Sequence, residues 1–212
     1  MRTATMNKER LSFFLLIWLL AQGCSNTQTS QQIKYSYPTT GRIERLDPAL
    51  DAIVDTNAKA EIIAEGFNWV EGPLWVEREQ MLLFSDIPAN KVYKWTEENG
   101  TEVYLDPAGY TGTTPSNRKE PGSNGLLLNS DGNLVLCQHG DRRIASMDAP
   151  LHDPQPKFVS LVDHYQGKCF NSPNDAVFNK DGVLFFTDPP MDYPRKTTTI
   201  RPKKSRSTVC TN

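Results

Sequence analysis

The sequence predicts an all-β protein of the propeller type, because a strand-rich unit recurs at a nearly constant spacing. Each unit has a polar opening followed by two β-prone runs, and the third unit opens on Asn-Ser-Pro-Asn-Asp at 171–175. When the second runs are aligned, Leu83, Val135 and Phe185 fall 52 and then 50 residues apart. A repeat of this length built from strands is typical of β-propeller blades.

The residue that opens each unit carries a side-chain oxygen at an equivalent position. These residues are Glu71, Asn124 and Asn174, which are 53 and then 50 residues apart. The innermost strand of a propeller blade lines the central channel, so blade symmetry directs all three side chains toward one point at the channel mouth. One carboxylate and two amide carbonyls are hard ligands of the kind that Ca²⁺ or Mg²⁺ prefers. The alternative is that each residue only caps a turn where its blade begins.

Short β-prone runs separated by turn residues predict the strands of the first unit. They are Ile62–Ala64, Leu74–Val76, Met81–Ser85, Lys91–Trp95 and Thr101–Leu105. Before them, Asp47 followed by Pro48 predicts the start of a short helical turn with the aspartate as its N-cap. Asp131–Gly132 and Asp181–Gly182 predict hairpin turns in the second and third units. The loop at Tyr110–Pro121 has a length that is often associated with function.

The beginning of the chain predicts export. A basic start and an apolar run at Leu11–Ala21, too short to span a bilayer, have the form of a signal peptide over 1–23. Ala-Gln-Gly before Cys24 resembles a bacterial lipobox and predicts lipidation of Cys24, with a flexible polar tether over 24–41. The predicted location is a membrane-anchored lipoprotein, in the periplasm or outer membrane of a Gram-negative host. The alternative is a plain signal peptide, or an uncleaved anchor in which Cys24 has no role.

Composition limits the partners of this chain. The formal net charge is −2, which gives no electrostatic case for nucleic-acid binding. Of the four cysteines, Cys137 falls in a predicted strand and Cys169 in a loop. In an exported protein these two residues would form a disulfide if they lie close enough, and otherwise they are buried thiols.

The last segment, 191–212, does not continue the repeat. It is rich in lysine and arginine and has no apolar periodicity, which predicts disorder. One interpretation is a frameshift near residue 190, and the other is a basic tail that binds an anionic surface. Residues 42–190 then hold two full units and the start of a third, about half of a propeller of typically about 4–8 blades. We expect such an open array to be marginally stable, because it leaves sheet edges unpaired.

Several motifs taken together resemble a known family. They are EGPLW at 71–75, LFSDIP at 83–88, GSNGL at 122–126, QHGDRR at 138–143, and FNSPND at 170–175 leading to FTDPP at 186–190. These motifs are similar to those of the senescence marker protein/gluconolactonase/luciferin-regenerating family, and specifically of its bacterial gluconolactonase branch. The resemblance covers about residues 42–190.

The resemblance implies a six-bladed propeller with one divalent metal at the channel mouth, usually Ca²⁺, with Zn²⁺ or Mg²⁺ as alternatives. It implies that Glu71 is a metal ligand and that Asn174 lines the substrate pocket beside the metal. Asn124 matches by its place in the repeat and is assigned to the same pocket. His139 and Arg142 follow a strand of the second blade and are placed on the pocket rim. The alternative for these two residues is a solvated loop with a surface salt bridge.

The activity implied by the resemblance is metal-dependent hydrolysis of the ester bond of a sugar lactone. In the family, later blades supply two further metal ligands, one of them an aspartate that is the favoured general base. Neither ligand is found in this sequence, so we expect catalysis by this chain to be impaired. The alternatives are a membrane-tethered propeller module that binds without catalysis and an inactive pseudogene product.

Overall fold

The first two repeats each fold into a four-stranded antiparallel sheet in the computed structural model, which describes residues 35–191. The described residues form an all-β structure with two short 3₁₀ turns. From Tyr37 onward they belong to one compact unit, whereas Tyr35 and Ser36 belong to another. The predicted signal peptide, the lipidation site at Cys24 and the predicted tail after Met191 lie outside the described residues.

The lead-in to the first blade is a pair of two-residue strands. β1 (Thr39–Thr40), which falls within the predicted tether, pairs with β2 (Ala60–Glu61). Between them lies a 3₁₀ turn at Pro48–Ala52, and the side chain of Asp47 caps it by accepting the N–H of Ala49 at 2.8 Å, as predicted. The strand predicted just after β2, at 62–64, is wrong, because these residues are irregular.

The first blade is a meander of four antiparallel strands in chain order. They are β3 (Val70–Val76), β4 (Met81–Asp86), β5 (Lys91–Thr96) and β6 (Gly100–Leu105). Short connections join neighbouring strands, as antiparallel pairing allows. The four strands predicted for this blade are confirmed, although β3 begins earlier than its apolar run indicated.

The second blade repeats this order, and hairpins follow it. Its strands are β7 (Ser123–Leu128), β8 (Leu134–Gln138), β9 (Arg143–Met147) and β10 (Phe158–Val162). The hairpins are β11 (His164–Tyr165) with β12 (Lys168–Cys169), and β13 (Ala176–Phe178) with β14 (Leu184–Phe186). The third repeat is therefore represented among the described residues by β13 and β14.

The two predicted hairpin turns are confirmed and share one mechanism. The side-chain oxygen of Asn129 accepts the backbone N–H groups of Asp131 and Asn133 at 3.0 and 2.9 Å. Asn179 does the same for the residues two and four positions after it, at 2.9 and 2.8 Å. The asparagine two positions before each Asp-Gly pair thus closes the turn, and the aspartate side chain does not.

The core lies between sheets, and β8 is buried on both faces. Leu134 and Leu136 pack in an apolar cluster shared with the first blade. Val135 and Cys137 pack in a second cluster, which includes side chains of β13 and β14 such as Phe186. Successive side chains of β8 point to opposite faces of the sheet, so this one strand packs against both the first blade and the third repeat.

The structure contradicts the pairing of Cys137 with Cys169 and fits the buried-thiol alternative for Cys137 alone, because Cys169 takes part in a disulfide. Cys137 is a free cysteine with no exposed surface, so it does not pair with Cys169. Burial, together with the charge of Asp175, raises the pKa of the Cys137 thiol. This residue is a structural apolar side chain of the core and not a disulfide partner.

The outer face of the last described sheet is apolar and exposed. Val177 and Phe185 are cross-strand partners on β13 and β14, and their exposed fractions are 61% and 52%. The alternate residues of the same strands pack against the second blade. This hairpin is thus covered on one face only.

Replacing Gly72 by alanine should destabilise the fold strongly. Gly72 has φ +57°, and a Cβ atom there would lie 2.2 Å from the carbonyl oxygen of Asn124. A left-handed φ costs a non-glycine residue roughly 1–2 kcal/mol. Overpacking against this neighbouring backbone should add about 1–3 kcal/mol. Urea unfolding followed by circular dichroism measures the total loss.

Gly132→Ala is the matched control for Gly72→Ala. Gly132 also has a positive φ, of +79°, but no atom lies within 4 Å of the added Cβ. This variant should therefore lose only the conformational contribution. Equal losses of unfolding free energy in the two variants would contradict the close approach of the first two blades.

Candidate functional site

The openings of the repeats lie at one end of the blades, which we call the site end. β3 and β7 begin there, and because their neighbours run antiparallel, the β4–β5 turn, the β6–β7 loop and the β8–β9 turn return to the same end. The segment before β13 also lies there, since it packs on the start of β7. The site end carries all five residues that were predicted to form the pocket and metal site, namely Glu71, Asn124, His139, Arg142 and Asn174.

Two of these residues are in direct contact. The side-chain nitrogen of Asn124 donates to the side-chain oxygen of Asn174 at 2.7 Å. Beside this pair, the backbone N–H of Gly125 donates to the carbonyl oxygen of Asn174 at 2.8 Å. Asn124 is only 6% exposed, whereas Asn174 is half-buried. The two amides therefore form a fixed hydrogen-bonded pair where the second and third repeats meet.

Glu71 lies on the first blade next to this pair. It is paired in register with Ser85, whose hydroxyl donates to the carbonyl oxygen of Asn124 at 2.9 Å. A Cβ atom added at the neighbouring Gly72 would overlap the same carbonyl group, so the two backbones lie close together here. The carboxylate of Glu71 is partly exposed and accepts the indole N–H of Trp69 at 3.0 Å. The starts of the three inner strands are thus adjacent, with one carboxylate and two amides among them.

The donor chemistry of this group suits a hard divalent cation, and it supplies only part of a coordination shell. Carboxylate and amide oxygens are the ligands that Ca²⁺ takes, usually about 6–8 of them. Among residues 35–191, no group of three or more His, Cys, Asp or Glu side chains is placed to hold a metal ion. Of the predicted site residues, Glu71 offers a carboxylate and Asn124 and Asn174 offer amide oxygens at this end of the blades.

Two aspartates outside the predicted pocket and metal site hold the strand starts in place. The carboxylate of Asp86 accepts the backbone N–H groups of residues 68 and 69 at 3.0 and 3.2 Å. The carboxylate of Asp188, at the equivalent position of the third repeat, accepts those of residues 171 and 172 at 2.8 to 3.0 Å. The repeated ending Phe-Ser-Asp and Phe-Thr-Asp was the signal for this role. Burial raises the pKa of Asp188, while these N–H groups and the charge of Arg142 oppose that rise.

His139 is fully buried, with no exposed surface. Neither ring nitrogen has a hydrogen-bond partner within the described part of the chain, and Nδ1 lies 3.9 Å from the nearer carboxylate oxygen of Glu120. Its backbone carbonyl accepts the guanidinium of Arg118. Burial, and secondarily the charge of Arg118, lowers the pKa of His139 to about 4. The imidazole is therefore neutral at pH 7 and is covered rather than solvated.

The long loop at Tyr110–Pro121 covers His139 and is tied to the β8–β9 turn. The backbone N–H and the hydroxyl of Thr111 both donate to the carboxylate of Asp141. Asp141 also pairs with Arg143 at 2.9 Å. The loop therefore forms part of the site end, where its position depends on contacts with the second blade.

Arg142 joins the second and third repeats. It has a φ of +58°, and its guanidinium donates through Nε to the carbonyl oxygen of Phe170. Its positive charge also acts on Asp188. Arg142 therefore braces the segment that leads to Asn174.

A family comparison identifies the chain. The model of the SMP-30/Gluconolactonase/LRE-like region matches residues 69–208. The chain belongs to this family. The resemblance drawn from the motifs is thereby confirmed, and the match extends beyond Pro190, where the motifs end.

Individual members of the family agree with this assignment. A gluconolactonase of Zymomonas mobilis is 39% identical over 196 residues, which cover 90% of this chain and 54% of the relative. The chain thus spans about half the length of that relative. The solved structure of a gluconolactonase from Xanthomonas campestris superposes with a TM-score of 0.55 at 30% identity, covering 74% of this chain and 45% of that one.

Within 35–191 there is no helix with the length and apolar character needed to cross a membrane.

The burial of His139 should make stability fall with acid. Its folded pKa of about 4 lies below the ordinary value of 6.5, so the unfolded chain takes up the proton first. The stabilisation is fully present above pH 6.5 and is lost as the pH falls toward 4, and it amounts to roughly 3 kcal/mol. Urea unfolding at pH 7 and pH 4.5 should show a smaller loss for His139→Leu than for the unchanged protein.

His152→Leu is the matched control, because His152 is exposed and its variant keeps the buried imidazole. This control should retain the full acid-dependent loss of stability. The assignment to His139 would be wrong if His139→Leu and His152→Leu lost the same unfolding free energy between the two pH values.

Proposed function

We propose that this protein hydrolyses the ester bond of a sugar lactone with the help of a divalent cation at the site end. The observation that carries the proposal is the contact of Asn124 with Asn174, at 2.7 Å, beside the strand that bears Glu71. Family membership and 39% identity to a gluconolactonase support the reaction class. We further propose a six-bladed ring, of which the described residues form the first blades.

In this proposal Glu71 contributes the negative charge that holds the cation. Ca²⁺ suits its hard carboxylate oxygens, and Mg²⁺ or Zn²⁺ are the alternatives. When bound, such a cation polarises the ester carbonyl and lowers the pKa of a coordinated water. The family assigns the general base to later blades, and we assign none to the described residues.

The paired amides position the lactone. Their mutual hydrogen bond uses one N–H of Asn124 and one lone pair of Asn174, so both amides keep further donors and acceptors for sugar hydroxyls or the cation. Holding both side chains in one geometry reduces the entropy lost when substrate binds. Arg142 and His139 shape the wall of the pocket, the first by bracing Phe170 and the second by supporting the loop above it.

The Glu71→Gln variant should abolish cation-dependent hydrolysis. The substitution keeps the shape of the side chain and its ability to accept the indole N–H of Trp69, but it removes the charge that attracts the cation. The test follows gluconolactone hydrolysis, with and without Ca²⁺, by a chimera in which the later half of the Zymomonas mobilis relative follows Pro190. Calorimetric titration with Ca²⁺ measures cation affinity in the same proteins.

Glu77→Gln is the matched control. Glu77 follows the far end of β3 and accepts the indole N–H of Trp75 at 2.6 Å, much as Glu71 accepts that of Trp69. This control should keep full activity and cation affinity. Unchanged hydrolysis in Glu71→Gln would refute the metal role.

A non-catalytic binding module is the second candidate, because the described residues hold no cluster of three metal-ligating acidic, His or Cys side chains. The chimera and the chain itself distinguish the two candidates. Lactone binding without turnover in both proteins favours the module, whereas turnover in the chimera favours the hydrolase.

We also propose that the protein is exported and anchored through a lipid on Cys24, as the sequence around Cys24 indicates. Cells labelled with radioactive palmitate should incorporate the label into the protein, and Cys24→Ser should prevent this. A protein that stays unlabelled but loses residues 1–23 would instead be the product of a plain signal peptide.

A further inference from the structure

A second cluster of reactive side chains lies between the second blade and the third repeat. The carboxylate of Asp163 is 2.6 Å from Nδ1 of His164, and Nε2 of the same imidazole is 3.5 Å from the sulfur of Cys169. Asp163 is buried, and the other two residues are half-buried. None of them contacts Glu71 or the Asn124–Asn174 pair through a described hydrogen bond, so the cluster is distinct from the site above.

The β11–β12 hairpin brings these residues together. His164 and Cys169 are directly opposite each other in its register. The two residues of its turn, Gln166 and Gly167, both have positive φ, of 53° and 74°, which is the geometry of tight two-residue hairpins. Asp163 precedes β11, and its backbone carbonyl accepts the N–H of Phe170, which closes the base of the hairpin.

The order carboxylate, imidazole, sulfur matches the arrangement that activates a nucleophilic thiol. A carboxylate on Nδ1 fixes the tautomer in which Nε2 accepts a proton. The imidazole then takes the thiol proton and stabilises the thiolate, which is the reactive form of cysteine. Asp163 is itself held by the hydroxyl of Ser160, at 3.3 Å.

We propose that Cys169 is a thiol–disulfide exchange site that accepts low-molecular-weight thiols, with His164 as its base and Asp163 as the positioning residue. The structure records Cys169 in a disulfide, so a low-molecular-weight thiol must act first as the reductant. Two such thiols supply the two electrons and two protons that convert the bond into thiols, and they leave joined as one small disulfide. The thiol proton passes to Nε2 of His164, and the Cys169 thiolate attacks one sulfur of a small disulfide. That disulfide bond breaks, a mixed disulfide forms on Cys169, and the departing thiolate takes up the proton.

Cys137 is an internal reference for the reactivity of Cys169. Cys137 is a free thiol with no exposed surface, among the apolar side chains of β8 and its neighbours. A buried thiol of this kind is inert. The proposal therefore requires Cys169 and Cys137 to differ in rate within one molecule.

The test uses the full chain, reduced with a dithiol and freed of it, at pH 7 with oxidised glutathione. Peptide mapping by mass spectrometry follows the mixed disulfide on each cysteine. Cys169 should react at least about tenfold faster than Cys137, and His164→Gln should slow Cys169 by roughly tenfold. Equal rates for Cys169 in the unchanged protein and in His164→Gln would overturn the proposal.

Three further measurements complete the test. Asp163→Asn should also slow Cys169, and it serves if His164→Gln fails to fold by circular dichroism. In guanidinium the rate difference between variants should disappear, because it depends on the folded hairpin, and a difference that persists would contradict the proposal.

His152→Gln, at an exposed histidine elsewhere, should leave the Cys169 rate unchanged. Because the readout is thiol chemistry, its outcome is independent of lactone hydrolysis.

Discussion

Close contact between the starts of neighbouring inner strands is the constraint on which the site end depends. Adjacent blades are separate sheets, so no continuous ladder of hydrogen bonds holds them together. They meet instead at glycines: a Cβ at Gly72 would overlap the backbone of Asn124, and one at Gly125 would lie 2.9 Å from the carbonyl oxygen of Asn174. The absence of side chains at these points lets the polar residues beside them come within hydrogen-bond distance.

The same end of the blades must also satisfy the backbone groups of segments that belong to no sheet. Buried N–H groups without acceptors are costly, about 1–3 kcal/mol each. Asp86 and Asp188 accept two such groups each in the first and third repeats. The second repeat has Gln138 at this position, and its amide donates to the carbonyl of Ala108 at 2.8 Å. Gln138 therefore binds the segment that leads into the long loop, whereas the two aspartates bind the segments that lead into their own repeats.

Sequence patterns predicted the parts of the site that follow from the repeat. The convergence of Asn124 and Asn174 required only equal positions in consecutive blades. The pattern could not predict that His139 is buried, because the loop at Tyr110–Pro121 covers it through contacts such as Thr111 with Asp141, 30 residues apart. Nor could it predict the Asp163–His164–Cys169 cluster, since the short β11–β12 hairpin has no alternation long enough to read as strands.

The sequence by itself determined the strands of the first blade, the positions of the two Asp-Gly hairpin turns and the family, because each depends on local residue chemistry or on spacing along the chain. Only the tertiary structure decided which side chains are buried, which cysteine is free and which loop covers the site end. These features arise from contacts between residues far apart in sequence, such as the 50-residue separation of Asn124 and Asn174. Their energies depend on packing and desolvation, which no local pattern records.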